Sequence, residues 1–231
     1  MQKIIMLSVC AALAILLPET VVKVGADEKD VWTLEDALEQ IDDATEDIEG
    51  ATADAKFSDV RSGESVMDLT GKFFIDMKGK MRVELRSEKP KTFLCNESKL
   101  YMYEADEQLV QEYKLKNHPE KLAQYALLGF SQTGSSLEHD YLVSLLEESS
   151  LDDNKVLVLE LTPRSDSTRR DISKIQLWIN QANWLPIQQK IFHSNADTHL
   201  TVRYNNVARN DSLDKDLFKP NWPKGTEKIK R

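Results

Sequence analysis

Hydrophobic positions recur at two different periods along this chain. From residue 33 to 48 the spacing is helical: Leu34, Leu38 and Ile41 fall at i, i+4 and i+7, Ile48 extends the stripe, and Gly50 is the predicted stop. Thr33-Leu34-Glu35-Asp36 predicts a capping box with Asp where Glu or Gln is usual. The opposite face is strongly acidic and predicted to be solvated. From Ala51 the period becomes two. Met67, Leu69, Gly71, Phe73, Ile75 and Met77 fall on one face, with Lys72 and Asp76 on the other. Met81, Val83 and Leu85 continue the alternation against Lys80, Arg82, Glu84 and Arg86. These patterns predict half-buried antiparallel strands.

Further strands are predicted over 92–96, 99–104 and 108–116. Pro119 opens a predicted helix that carries Leu122, Tyr125, Ala126 and Leu127 and ends at Gly129. Over 137–148 the spacing of Leu142, Leu145 and Leu146 suits a helix better than a strand. Strands resume over 155–162, 172–180, 185–193 and 198–207, and 218–225 is Pro-rich and irregular. Strands follow one another without crossover helices, so the sheet is expected to be antiparallel. A single long, twisted antiparallel sheet curls toward a barrel.

Composition narrows the picture. Charged residues make up 30% of the 231 positions, and Gly and Pro are few, which argues for one folded domain. The formal net charge of −9 argues against a nucleic-acid partner and disfavours electrostatic docking on anionic lipid. Residues 1–26 form the three-part pattern of an export signal: Lys3, an apolar run from Ile4 to Leu17 ended by Pro18, then Val24-Gly25-Ala26 before acidic Asp27-Glu28. The run is shorter than the about 20 residues a membrane span needs. Cleavage would leave residues 27–231 as the mature domain; an uncleaved anchor is the alternative. Cys95 would then be the sole thiol, with no internal disulfide.

Catalytic chemistry finds little support. Gly129-Phe130-Ser131-Gln132-Thr133-Gly134 has the wrong spacing for a nucleophile elbow. His118, His139, His193 and His199 form no zinc-type grouping, although His193 and His199 flank a hairpin turn. No Gly-rich phosphate loop is present. The expectation is a protein that is not an enzyme and uses no cofactor or metal. The methionines are more informative. After residue 26 they are Met67, Met77, Met81 and Met102, all in the early meander, the first three in phase with its apolar face. Methionine suits surfaces that accept varied apolar partners. Phe57, Leu69, Phe73, Ile75, Val83, Phe93 and Leu100 are candidates for the same lining. The alternative is ordinary core.

Several stretches in order and spacing resemble the outer-membrane lipoprotein carrier (LolA-like) family. They are Gly71-Lys72-Phe73-Phe74-Ile75, Gly79-Lys80-Met81-Arg82-Val83-Glu84, Leu100-Tyr101-Met102-Tyr103, Leu159-Glu160-Leu161-Thr162-Pro163 and Ile175-Gln176-Leu177-Trp178-Ile179-Asn180. Leu185-Pro186-Ile187 and the ending, with Phe218 and Pro223-Lys224-Gly225, resemble it too. The resemblance implies a mainly β fold with some α: a single curved antiparallel sheet forming an open, incomplete barrel capped by helices. It implies a monomeric periplasmic carrier of lipoprotein acyl chains or another lipid. Its partners would be an inner-membrane transporter and an outer-membrane receptor. A lipid-reading sensor on the same fold is the alternative. Three departures stand out. Met77-Lys78 occupies the family's Arg-Pro position, Asn96-Glu97 replaces its Asp-Gly turn, and residues 131–154 have no clear counterpart. Without the family arginine, which would latch the helical lid, the lid is expected to close through apolar contacts of Leu122, Leu127, Leu128 and Phe130.

Overall fold

Thr33 starts the first helix, α1 (Leu34–Glu46), through reciprocal bonds with Asp36. Thr33 Oγ1 accepts the Asp36 N–H at 3.1 Å, and the Thr33 N–H donates to Asp36 Oδ2 at 3.2 Å. The capping box therefore forms with Asp in the third position. The helix buries Ala37, Leu38 and Ile41 and stops before the predicted end. Gly50 opens the next strand instead, where a Cβ would meet the Ile75 carbonyl oxygen at 2.9 Å.

The computed structural model describes residues 31–46, 48–76, 78–96, 99–114, 128, 130, 133–194, 197–210 and 213–231. The expected export signal, Met77, and the predicted 119–129 helix apart from Leu128, with Leu122 and Leu127 in it, lie outside the described residues. The described elements after α1 are β1 (Gly50–Arg61), β2 (Glu64–Asp76), β3 (Lys80–Arg86), β4 (Lys91–Asn96), β5 (Lys99–Glu104) and β6 (Leu109–Lys114). Then come α2 (Gly134–Asp140), β7 (Tyr141–Leu151), β8 (Asn154–Pro163), α3 (Asp166–Arg169), β9 (Ile172–Asn180), β10 (Pro186–His193) and β11 (Thr198–Asn210). A 3-10 turn (Lys215–Phe218) and β12 (Glu227–Lys230) follow.

All twelve strands join one curved sheet in the order β12-β6-β5-β4-β3-β2-β1-β11-β10-β9-β8-β7. Consecutive strands within β1–β6 and within β7–β11 pair antiparallel, β1 and β11 close the middle of the sheet antiparallel as well, and β12 alone runs parallel, to β6. β12 and β7 are the two edges, so the sheet stays open. The fold class expected from the sequence is the observed one.

Two elements differ from expectation. The stretch around Leu142, Leu145 and Leu146 is strand β7 rather than helix, and the helix α2 ends just before it. A bulge between Leu145 and Glu147 shifts the alternation there, giving leucines in helix-like spacing on an edge strand. The ending 218–225 is irregular as expected, but β12 follows it.

The sheet is packed on both faces. On the outer face Leu94, Tyr101 and Val110 are covered by Leu213, Leu217, Phe218 and Trp222. The Trp222 ring stacks on Tyr103 with centroids 5.0 Å apart. On the inner face α1 and α2 cover strands β7–β11 through Leu38, Ile41 and Leu137. Helix α2 fits there because Gly134 meets α1 closely: a Cβ would lie 2.9 Å from Leu38 Cβ. The Gly134 N–H donates to Asp42 Oδ1 at 2.5 Å.

Candidate functional site

The inner face is built of cross-strand rows. One runs through Ala51, Ile75, Met81, Cys95, Leu100 and Tyr113, each directly opposite the next across β1 to β6. A second runs through Ala53, Phe73, Val83, Phe93, Met102 and Gln111. Strict alternation keeps each row on one face. The charged alternates, such as Lys72 and Glu84, pair on the other face. Burial of each large apolar side chain in these rows contributes roughly 1.5–3 kcal/mol.

Alanines in β1 leave space above the sheet. Phe73 of β2 and Tyr204 of β11 flank β1, and their rings meet with centroids 5.3 Å apart. Phe130 completes a three-ring cluster, 5.9 Å from Phe73 and 5.0 Å from Tyr204. Burial pushes the Tyr204 hydroxyl pKa up. Burial also raises the Cys95 thiol to about 11, which makes it a packing residue rather than a nucleophile.

The other half of the inner face carries Val202, Gln189, Leu177, Leu159 and Leu145 in one row. Gln189 is fully buried. Its Nε2 donates to the Leu128 carbonyl oxygen at 2.7 Å, while its Oε1 has no hydrogen-bond partner among the described residues. A polar tether therefore reaches from the sheet to Leu128, in the segment expected to close mainly by apolar contacts. Nothing in the local pattern singled out Gln189. It follows Gln188, and a bulge at Pro186–Gln188 obscures which glutamine faces inward.

The candidate lining residues separate in space. Phe73, Ile75, Met81 and Val83 are buried in one cluster, and Phe57, Phe93 and Met102 pack against it half-buried. Leu69 lies half-buried opposite Phe57. Met67 is not among them. It is 51% exposed near the tip of the β1–β2 hairpin, where the pairing register shifts between Asp59 and Val60. Leu128 and Phe130 are buried, Phe130 in the same cluster as Phe73 and Leu128 beside Leu38 and Ile41. Arg82 points to the outer face, bonded to Glu84 at 2.7 Å and to the Leu217 carbonyl at 3.3 Å. Among the described residues, no group of three or more His, Cys, Asp or Glu side chains is placed to hold a metal ion.

These features define an open, helix-covered β-sheet with an apolar inner face. The chain belongs to the Sporulation protein YdcC-like family, which matches residues 2–218. No curated protein matches it in sequence. The structure is similar to that of an uncharacterized conserved protein from Thermus thermophilus, at 10% identity and a TM-score of 0.56, covering 85% of this chain and 98% of that one. That likeness shows a shared fold. A LolA superfamily protein from Nitrosomonas europaea is similar at 15% identity and a TM-score of 0.43, with 82% and 98% covered. The lipoprotein LppX of Mycobacterium tuberculosis is similar at 12% identity and a TM-score of 0.46, with 78% and 97% covered.

Proposed function

We propose that this protein is a non-enzymatic periplasmic carrier that buries an acyl chain of a lipid or lipoprotein against the inner face of its sheet. The observation that carries this reading is the pair of rows that run apolar from β1 to β5, with methionine and phenylalanine at their centre and Phe130 packed against them. Such a face holds an acyl chain by non-directional burial and releases it without chemistry. Loading displaces Phe130 from its ring cluster and breaks the bond between Gln189 and Leu128. Export through the signal over residues 1–26 delivers the protein to its compartment. An inner-membrane donor and an outer-membrane acceptor are the proposed partners, and the family's description supplies sporulation as the setting.

The test is uptake of a fluorescent acyl probe by two aspartate variants of adjacent residues. Phe73→Asp places a charge in the buried row and should abolish uptake. Lys72→Asp, on the exposed face, should bind as the parent does. Both variants are first checked for native circular dichroism. Equal uptake by two folded variants would overturn the assignment of the inner face.

A further inference from the structure

One rim of the sheet is basic although the chain as a whole is acidic, with 30 Lys and Arg against 39 Asp and Glu. The pairing register brings the start of β1 beside the β2–β3 turn, since Gly50 lies opposite Asp76 and Asp76 opposite Lys80. Asn96 ends β4 at the same rim, one residue beyond the Met81–Cys95 pair. The 3-10 turn packs beside it, with Phe218 buried among outer-face residues. Together these elements enclose a cleft of about 450 Å³ lined by Lys78, Lys80, Lys215, Lys219, Asp76 and Asn96, with Phe218 and Pro220 as its apolar part.

The charges in this lining do not balance: four lysines face one carboxylate. Asp76 Oδ1 is itself engaged, accepting the Lys78 backbone N–H at 2.7 Å. Lys219 is paired with Asp216 at 2.6 Å. Among the described residues Lys78, Lys80 and Lys215 form no ion pair, whereas several lysines elsewhere on the sheet do: Lys56 with Asp68, Lys91 with Glu104, Lys99 with Glu112 and Lys174 with Glu160. Like charges gathered in a cleft repel one another and focus a positive field, and an anion relieves both. Lysine ammonium groups act as point charges for phosphate, the Asn96 amide adds donors, and Phe218 and Pro220 suit the carbon portion of a phosphate ester.

We infer that this cleft binds a phosphate group. Its bearer is the headgroup of an anionic phospholipid or a free phosphate, and the two sources share the chemistry that the lysines recognise. The inference is independent of the acyl-binding face, because the cleft uses none of the residues of the inner rows. It also revises the expectation from net charge: the chain avoids anionic surfaces on average, but this rim attracts them.

The experiment compares the parent protein with Lys78→Gln/Lys80→Gln/Lys215→Gln and with a control of equal charge change at exposed lysines outside the cleft, Lys72→Gln/Lys114→Gln/Lys155→Gln. Each is titrated with inorganic phosphate by calorimetry and sedimented with vesicles of phosphatidylglycerol or of phosphatidylcholine. The expected result is binding to phosphatidylglycerol vesicles that phosphate competes away, at least tenfold weaker in the cleft variant and unchanged in the control. Binding of phosphate without vesicle binding, lost in the cleft variant, assigns the site to a soluble phosphate. Equal loss in both variants, or no binding of either ligand by the parent, overturns the inference. Should the triple variant fail to fold, Lys215→Gln alone, on the exposed turn, should weaken binding about threefold, and no change there overturns it as well.

Discussion

Gln189 occupies a position that its row neighbours, Val202, Leu177, Leu159 and Leu145, fill with apolar side chains. Its one bond, to the Leu128 carbonyl, satisfies a buried acceptor, while its unpartnered Oε1 costs free energy in the same place. Each effect is worth about 1–3 kcal/mol, and they have opposite signs. Gln189→Met removes both at nearly constant volume. Its thermal midpoint is therefore expected to stay close to that of the parent. The Leu128 segment loses its polar tether, so acyl-probe exchange should quicken. Stopped-flow exchange measured beside calorimetric melting checks this. A variant that melts like the parent and exchanges no faster would show that the bond does not restrain the cover. Arg82 does not supply this contact, since it is engaged on the outer face, and Met77, which stands at the family's arginine position, lies outside the described residues.

At the scale of elements, β12 depends on a charge arrangement that pH can undo. It pairs with β6 over four residues, and Glu112 of β6 binds Lys228 of β12 and, at 2.8 Å, Lys99 of β5. Hydrogen bonds from Lys228 and then Lys99 hold the Glu112 carboxyl down to about 2, from an ordinary value of 4.5. A carboxylate depressed in the folded state contributes stability that is present above its unfolded value and lost as pH falls through its folded one. Residues 227–231 should therefore loosen between pH 4.5 and 2, ahead of the central strands. Hydrogen exchange of the Ile229 amide across that range measures it, and Glu112→Gln should show the loosened edge already at pH 7. The sequence could not reveal β12, because its four residues alternate no clear apolar face and its partner lies more than a hundred positions away. Strands β3 to β5, and β2 beyond the register shift near its start, were legible, since period two is undisturbed there and their partners adjoin in sequence. Strand β7 was not, because its bulge converts alternation into helix-like spacing. The same logic applies to the site. The shared burial of Phe73, Ile75, Met81 and Val83 follows from alternation. The exposure of Met67 depends on where the hairpin outruns its cover, and the role of Gln189 depends on a contact sixty-one positions away.

For the whole molecule, the open sheet and its cover set how an acyl ligand should be measured. The described inner face is continuous across β1–β6, and its cover rests on the three-ring cluster and one buried hydrogen bond rather than on a disulfide, since Cys95 is a free thiol. If an acyl chain lies along these rows, each added methylene leaves water for an apolar surface, worth ~0.8 kcal/mol. That increment corresponds to about fourfold in the dissociation constant. Saturated fatty acids of increasing length should therefore bind with affinities that climb about fourfold per methylene and then level off once the chain outgrows the face. The length at the plateau measures how far the cover opens, and Phe73→Asp should flatten the entire series. The carboxylate contributes equally to every member, so it cannot mimic the trend. A phosphate site at the basic rim would shift all affinities of phosphate-bearing lipids by one factor and leave the slope unchanged. Calorimetric titration of the series separates the two: an affinity independent of chain length, in a folded protein, would exclude acyl burial on the inner face even if the rim binds phosphate.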